Sequence, residues 1–354
     1  MLPKFRRVLL DKDNKCEACS VFDTLNKGAK DIICGEYIYT APYGLENRRK
    51  ICTITYDGNY VHDFSDFPID CNCDGYMDIV TGSWWGEGLY WRENPKNDTD
   101  EWKTHLIEPM TNIETIRYFD IDGDGELEIF PNAPSEPACF FKLIKGNDGV
   151  TFKKYVIGTQ NAGHGMGFGD VNGDGKVDII LSNGWLEQPD DVYTGGWKMH
   201  SDFNIPGACV PMLCYDVNGD GINDIIVGNG HGYGLWWLEQ QSDGNFIQHV
   251  IDDKCSQYHD MQLIDIDGDG ELELITGARY FAHNGNDTGE HDPIGTYIFK
   301  INKGNFEKHV LDYGSPETTS GLGIYFWLCD LNGSGKVDII APGKEGLYIF
   351  YNEG

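Results

Sequence analysis

The chain has 354 residues and a hydrophobic content of 40%, enough for a substantial core in one or two domains. Its 57 acidic against 27 basic residues give a formal net charge of -30, which excludes nucleic acid and anionic membrane surfaces as expected partners, because both need a basic footprint. No apolar run approaches the ~18 residues of a membrane span, and 45 glycines with 19 tyrosines, 17 phenylalanines and nine tryptophans predict short strands and tight turns.

From the N-terminus, "MLPKFRRVLLDKDNK" lacks the apolar stretch and small-residue cleavage site of a secretory signal, which predicts a cytoplasmic protein. Eleven cysteines without framework spacing predict reduced thiols, and Cys16-x-x-Cys19 and Cys71-x-Cys73 have no second pair at zinc-ribbon spacing. A loop pattern then recurs along the chain. A worn copy, Asp23 to Asp31, comes first. Six intact copies follow, with oxygen-bearing side chains at positions 1, 3, 5 and 9 and glycine at 6. They are Asp70, Asn72, Asp74, Asp78; Asp120, Asp122, Asp124, Glu128; Asp170, Asn172, Asp174, Asp178; Asp216, Asn218, Asp220, Asp224; Asp265, Asp267, Asp269, Glu273; and Asp330, Asn332, Ser334, Asp338. The first aspartates are spaced 47, 50, 50, 46, 49 and 65 residues apart, the last gap lengthened by an insertion around 279–295.

Each loop precedes an apolar run such as "DIVTG" or "DIIVGNG", then in several repeats an aromatic strand such as "GLYWREN", then a strand such as "WKTHLIE". With the strand before the loop, each repeat holds four strands, the content of a propeller blade. The chain ends at "GLYIFYNEG", one strand short, and "FRRVLLD" at 5–11 matches the fourth strand "FEKHVLD" at 306–312. The prediction is an all-β fold, one seven-bladed β-propeller over residues 1–354, closed by the N-terminal strand so that no sheet edge is left open.

Carboxylate and amide oxygens at this spacing suit Ca²⁺, which takes six to eight oxygen ligands in flexible geometry. Flanking strands and the lack of a Glu at position 12 exclude an EF-hand. The array resembles the FG-GAP/VCBS repeats of seven-bladed propellers such as the integrin α-subunit head. That resemblance implies loops on the lower face, between the innermost and second strands, with structural calcium.

Six residues before the first aspartate lie Glu17, Phe64, Glu114, His164, Val210, His259 and Ile324. If that position faces the top of the central channel, His164, His259 and Glu114 form a candidate site for a divalent transition metal (Zn²⁺, Mn²⁺, Fe²⁺ or Ni²⁺). The links between second and third strands return to the same face with Trp84, Trp85, Trp185, His231, Arg279, Tyr280 and Lys344, and the insertion adds His283. Trp84, Trp85, Trp185, Tyr280 and His283 are candidate contacts for a polyhydroxylated ligand, since aromatic faces stack on sugar C–H surfaces while polar groups orient hydroxyls. The tryptophans could equally pack between blades. His105, His249 and His309 lie in the outer strands and are read as structural.

The histidines placed before "DIDGDGE"-like loops are similar, more distantly, to the propeller of the aldos-2-ulose dehydratase family. This implies a carbon–oxygen lyase acting on a keto-sugar or oxidised glycoside. His231 is then the first candidate base and Glu17 the second, with Arg279 and Lys344 anchoring the small carbohydrate substrate. The competing expectation is a non-catalytic glycan- or protein-binding propeller, since fold does not imply function.

Overall fold

The computed structural model describes residues 2–146, 149–161 and 163–354. Apart from a 3-10 turn at Leu45–Asn47, every regular element among the described residues is a β-strand. The strands form antiparallel four-stranded units at 20–50, 67–108, 115–161, 166–200, 212–256 and 258–314, and a last unit in which 327–352 is joined by Phe5–Asp11. Two of these units, 166–200 and 212–256, merge into one eight-stranded sheet through parallel pairing of Gly167 with Met212 and Phe168 with Leu213.

The second strand of every unit is buried along its whole length: Asp31–Cys34, Asp78–Thr81, Glu128–Asn132, Asp178–Leu181, Asp224–Gly228, Glu273–Ala278 and Asp338–Ala341. A strand covered on both faces needs no polar alternation, which is why these segments read as unbroken apolar runs. The cover comes from the neighbouring units. Ile129 of the third unit packs with Phe67 and Val80 of the second. Phe130 packs with Ile179 of the fourth, Ile180 with Ile225 of the fifth, and Ile226 with Leu274 of the sixth. Ile275 packs with Ile339 of the last unit, whose Ile340 and Leu347 pack in turn with Ile32 and Ile33 of the first. The core therefore lies between adjacent sheets, and the last unit rests on the first.

At each loop the position-9 carboxylate opens the second strand and accepts the backbone N–H of position 2. Cys71 donates to Asp78 at 2.9 Å, Ile121 to Glu128 at 3.0 Å, Val171 to Asp178 at 2.9 Å and Val217 to Asp224 at 3.0 Å. Ile266 donates to Glu273 and Leu331 to Asp338, both at 3.1 Å, and the worn copy keeps the bond from Thr24 to Asp31 at 3.2 Å. The position-1 aspartate accepts the glycine N–H at position 6, as in Gly75 to Asp70 at 2.9 Å. Those glycines have φ from +80° to +93° in the six intact loops, a conformation costly for any residue with a Cβ.

The N-terminal strand pairs in antiparallel register with Leu347–Asn352, from Phe5 against Asn352 to Asp11 against Leu347. At its end Asp11 is buried and accepts hydrogen bonds from Tyr39 at 2.7 Å and Arg48 at 2.5 Å, both in the first unit. One carboxylate thus clasps the strand that completes the last unit onto the first. Burial raises the Asp11 pKa, but the Tyr39, Arg48 and Asp13 hydrogen bonds outweigh it and hold the carboxyl below its ordinary range. A depressed carboxyl contributes stability above its unfolded pKa and loses it as pH falls through the folded one. We therefore expect Asp11→Asn to cost about 2–4 kcal/mol in urea denaturation at pH 7, with the gap to wild type closing below about pH 4. A gap that does not narrow at all as pH falls would remove the charge from this account.

Candidate functional site

The ends of the first strands opposite the loops bring together four of the side chains expected from the repeat alignment. Glu17, Glu114, His164 and His259 come from four different units, and Arg279, at the end of the sixth unit's second strand, lies among them. Its Nε donates to Glu17 Oε1 at 2.7 Å and its Nη2 to Glu17 Oε2 at 3.1 Å, while Nη1 is 3.0 Å from His259 Nε2 and 3.7 Å from Glu114 Oε1. Lys344 Nζ lies 3.7 Å from Glu17 Oε2 and donates to the carbonyl of Phe281 at 2.7 Å. Glu17 and Arg279 are 1% and 2% exposed, so this is a desolvated ion pair. Burial pushes the Glu17 carboxyl up, yet Arg279 and Lys344 together keep it below its ordinary range.

This geometry corrects two expected roles. Glu17 is the counter-ion of two cations and not a free base. Arg279 directs three of its donors to Glu17 and His259, so its first role is structural even though it also lines the cavity. The expected metal set His164, His259 and Glu114 is gathered loosely, with imidazole-to-carboxylate separations of 4.0 Å and 3.8 Å and the Arg279 cation beside it. A tighter set stands above it. The ligand-capable atoms of His231, His283 and Asp287 lie within 4.8 Å of one another. His231 Nδ1 is 2.9 Å and His283 Nδ1 2.6 Å from the same Asp287 Oδ2, and His231 Nε2 is 3.4 Å from His164 Nδ1.

Burial is the largest cause that lowers the pKa of His164, His259 and His283; Arg279 and the neighbouring imidazoles add to it, and His259 falls well below its ordinary value. These rings are therefore neutral near pH 7, when each offers one lone pair.

A cavity of about 220 Å³ opens onto this cluster, lined by Tyr60, Phe64, Trp84, Trp85, Glu114, His164, His231, Arg279 and His283. Trp84 stacks on His164 with ring centres 5.4 Å apart, and Trp85 lies 3.8 Å from the Tyr60 ring. Aromatic rings, imidazoles and a carboxylate thus share the lining of one cavity. Trp185, expected here, lies elsewhere: its ring stacks on His200 at 4.0 Å and its Nε1 donates to Asp202 at 3.0 Å. The reason is a second repeat feature. Trp91 stacks on His105 at 4.4 Å and Trp237 on His249 at 4.6 Å, each histidine reaching a glutamate two residues after its tryptophan, Glu93 or Glu239. Trp185, His200 and Glu187 form the same trio. Tyr280 packs near Phe281, 5.8 Å away, outside the cavity lining.

Sequence reasoning passed over Tyr60 and Asp287. Tyr60 carries no repeat signal, whereas Asp287 follows His283 at a spacing of four in "HNGND", a cue to convergence on one side of a turn. In the loops, the third and sixth copies bring Asp120, Asp122 and Glu128, and Asp265, Asp267 and Asp269, within 4.8 Å. Lys142 bridges Asp122, Asp124 and Glu128, and Lys300 bridges Asp267, Asp269 and Glu273. The position-9 carboxylates Asp78, Asp178 and Asp224 are raised by burial to about 7, 6 and 6, so each gains from a nearby cation. The hard, all-oxygen donor sets fit calcium.

The FG-GAP-like repeat matches residues 70–130 and 216–276. The chain is similar to cartilage acidic protein 1 of Xenopus tropicalis, 31% identical over 39% of this chain and 24% of that protein. It is also similar to the human protein of that name, 31% identical over 38% of this chain and 22% of that one. It thus spans about a quarter of the length of the curated relatives it matches. In fold it resembles BBS1N, solved in complex with ARL6DN, with a TM-score of 0.58 at 11% identity over 99% of this chain and 97% of that one. It also resembles rhamnogalacturonan lyase YesW, with a TM-score of 0.52 at 12% identity over 99% of this chain and 74% of that one. The fold is all-β with propeller-like neighbours. No helix among the described residues is long and apolar enough to cross a membrane.

Removing Arg279 strands Glu17 in a site that excludes water. Arg279→Met should lower stability by about 3–5 kcal/mol in urea denaturation, and Glu17→Gln combined with Arg279→Met should recover part of that loss. A loss under about 1 kcal/mol for the single variant would show the pair to be dispensable.

Proposed function

We propose that the chain is a single seven-bladed propeller, stabilised by calcium in its loops, that binds one sugar residue of a glycan in the cavity at its upper end. The observation that carries this reading is the lining of one cavity of about 220 Å³ by aromatic rings (Tyr60, Trp84, Trp85) together with polar groups (Glu114, His164, His231, His283). That volume is below the roughly 300–1,000 Å³ of pockets for drug-sized ligands and suits a single ring better than an oligomer. Stacking on Trp84 would take the apolar face of the ring, and the imidazoles and Glu114 would take its hydroxyls. The FG-GAP-like repeats and the likeness to cartilage acidic protein 1 support a binding propeller over a catalytic one.

One observation favours a second reading, elimination from a keto-sugar: three imidazoles cluster around His231 with ring centres 4.7–6.2 Å from it, as a proton-transfer site requires. His231, whose Nδ1 faces Asp287, is the base this reading would use.

Glycan-array binding followed by calorimetry on the best hit separates the two. Binding without turnover, weakened at least tenfold by Trp84→Ala and unchanged by Trp185→Phe, is the expected result. Loss of water from a keto-sugar, abolished by His231→Ala, would put the lyase first. No binding to any glycan would sink the sugar reading.

Calcium in the loops is tested separately. Chelation with EGTA should lower the melting temperature by several degrees, recovered by Ca²⁺ but not by K⁺. An unchanged melting temperature would mean the loops stand on their own hydrogen bonds.

A further inference from the structure

The segment 279–293 does more than lengthen one connection. It is anchored across the fifth unit: Ser256 Oγ donates to the Gly289 carbonyl at 2.9 Å, Gln257 Nε2 to the Thr288 carbonyl at 3.4 Å, and Tyr233 hydrogen-bonds Asp292. Inside the segment Glu290, itself buried, accepts the backbone N–H groups of His283 and Asp287, the latter at 3.1 Å, which holds these two residues on one turn. The turn presents His283 and Asp287 to His231, which comes from the fifth unit's link between its second and third strands.

We propose that His231, His283 and Asp287 form a binding site for a zinc-class divalent ion at the mouth of the cavity. Two imidazole nitrogens and one carboxylate oxygen are the three-ligand set of open zinc sites, which leave a coordination position for an exogenous oxygen. Both Nδ1 atoms already aim at the same carboxylate oxygen, so the three donors converge. His164 completes the arrangement as a positioning residue. Its Nδ1 lies 3.4 Å from His231 Nε2, where it can accept the N–H of that nitrogen and so leave the His231 Nδ1 lone pair free. The hard oxygen-only loops at the other end favour calcium, whereas this mixed nitrogen–oxygen set favours a borderline ion, so the two classes of site sort different metals. His231 and His283 border the same space as Trp84 and Tyr60, and metal uptake itself does not depend on a sugar occupying that space.

The test uses the intact protein saturated with Ca²⁺ and titrated with Co²⁺ as a spectroscopic probe, then with Zn²⁺ by calorimetry. About one equivalent of Co²⁺ giving intense visible absorption of a four-coordinate ion, displaced by Zn²⁺, is the expected result. Affinity should fall at least about 100-fold in His283→Gln and Asp287→Asn, and about 10–100-fold in His164→Ala. His105→Ala, in the outer Trp91 stack, should leave it unchanged. Unchanged near-UV dichroism shows that the variants remain folded; if His283→Gln unfolds, Asp287→Asn carries the test. Absence of uptake by wild type, or uptake indifferent to both His283→Gln and Asp287→Asn, overturns the proposal. Because metal alone is the probe, failure to bind glycans leaves this result standing, and the reverse also holds.

Discussion

A single carboxylate, repeated around the molecule, sets the geometry on which the rest depends. At position 9 of each loop it is buried at the start of the second strand. There it ties the loop's own N–H at position 2 and, in several units, the N–H at the end of the third strand: Asn94 to Asp78, Gln188 to Asp178, Gln240 to Asp224 and Asn352 to Asp338, at 2.8–2.9 Å. Three strands of a sheet are thus pinned at one end by one side chain. Burying a carboxylate is costly unless its lone pairs are filled, and two backbone donors fill them. The ends of neighbouring sheets are held in one register as a result, and the apolar second strands can pack sheet on sheet.

With one end committed to the loops, the other end is free to vary. There the first strands open into connections of unlike length, and the sixth unit carries the 279–293 segment over the mouth. Repeat positions that are equivalent in sequence become neighbours in space, so Glu17, Glu114, His164 and His259 meet although nearly 250 residues separate the first from the last. The Arg279–Glu17 pair at the base of this cluster is buried, and Arg279 also reaches His259 and so ties an imidazole to it.

Charge sorts the molecule along the same axis. About a third of the acidic side chains lie in the loops at positions 1, 3, 5 and 9, where they suit hard cations. At the opposite end Glu17 is answered by Arg279 and Lys344, and Asp287 lies against the imidazoles of His231 and His283. Desolvation keeps His164, His259 and His283 neutral, so that end offers lone pairs and N–H donors and little net charge.

The sequence by itself determined the repeat, the strand content, the loop chemistry and the origin of the closing strand, because each is a local pattern: oxygen spacing, apolar runs, and the likeness of 5–11 to 306–312. It also determined which residues share the ring position six before each loop, since equal spacing in a repeat means equal place in space. It did not determine where side chains off that register point. Trp185 reads like Trp84, yet it stacks on His200 because the partner strand sets that imidazole opposite it, where Glu187 of its own strand also holds it. Arg279 reads like a ligand anchor, yet Glu17 claims it through a contact 262 positions apart. Asp287 meets His231 only because Ser256, Gln257 and Tyr233 hold the insertion down. Those pairings depend on which charge and which donor each side chain meets after the sheets have closed, and only the tertiary structure decided them.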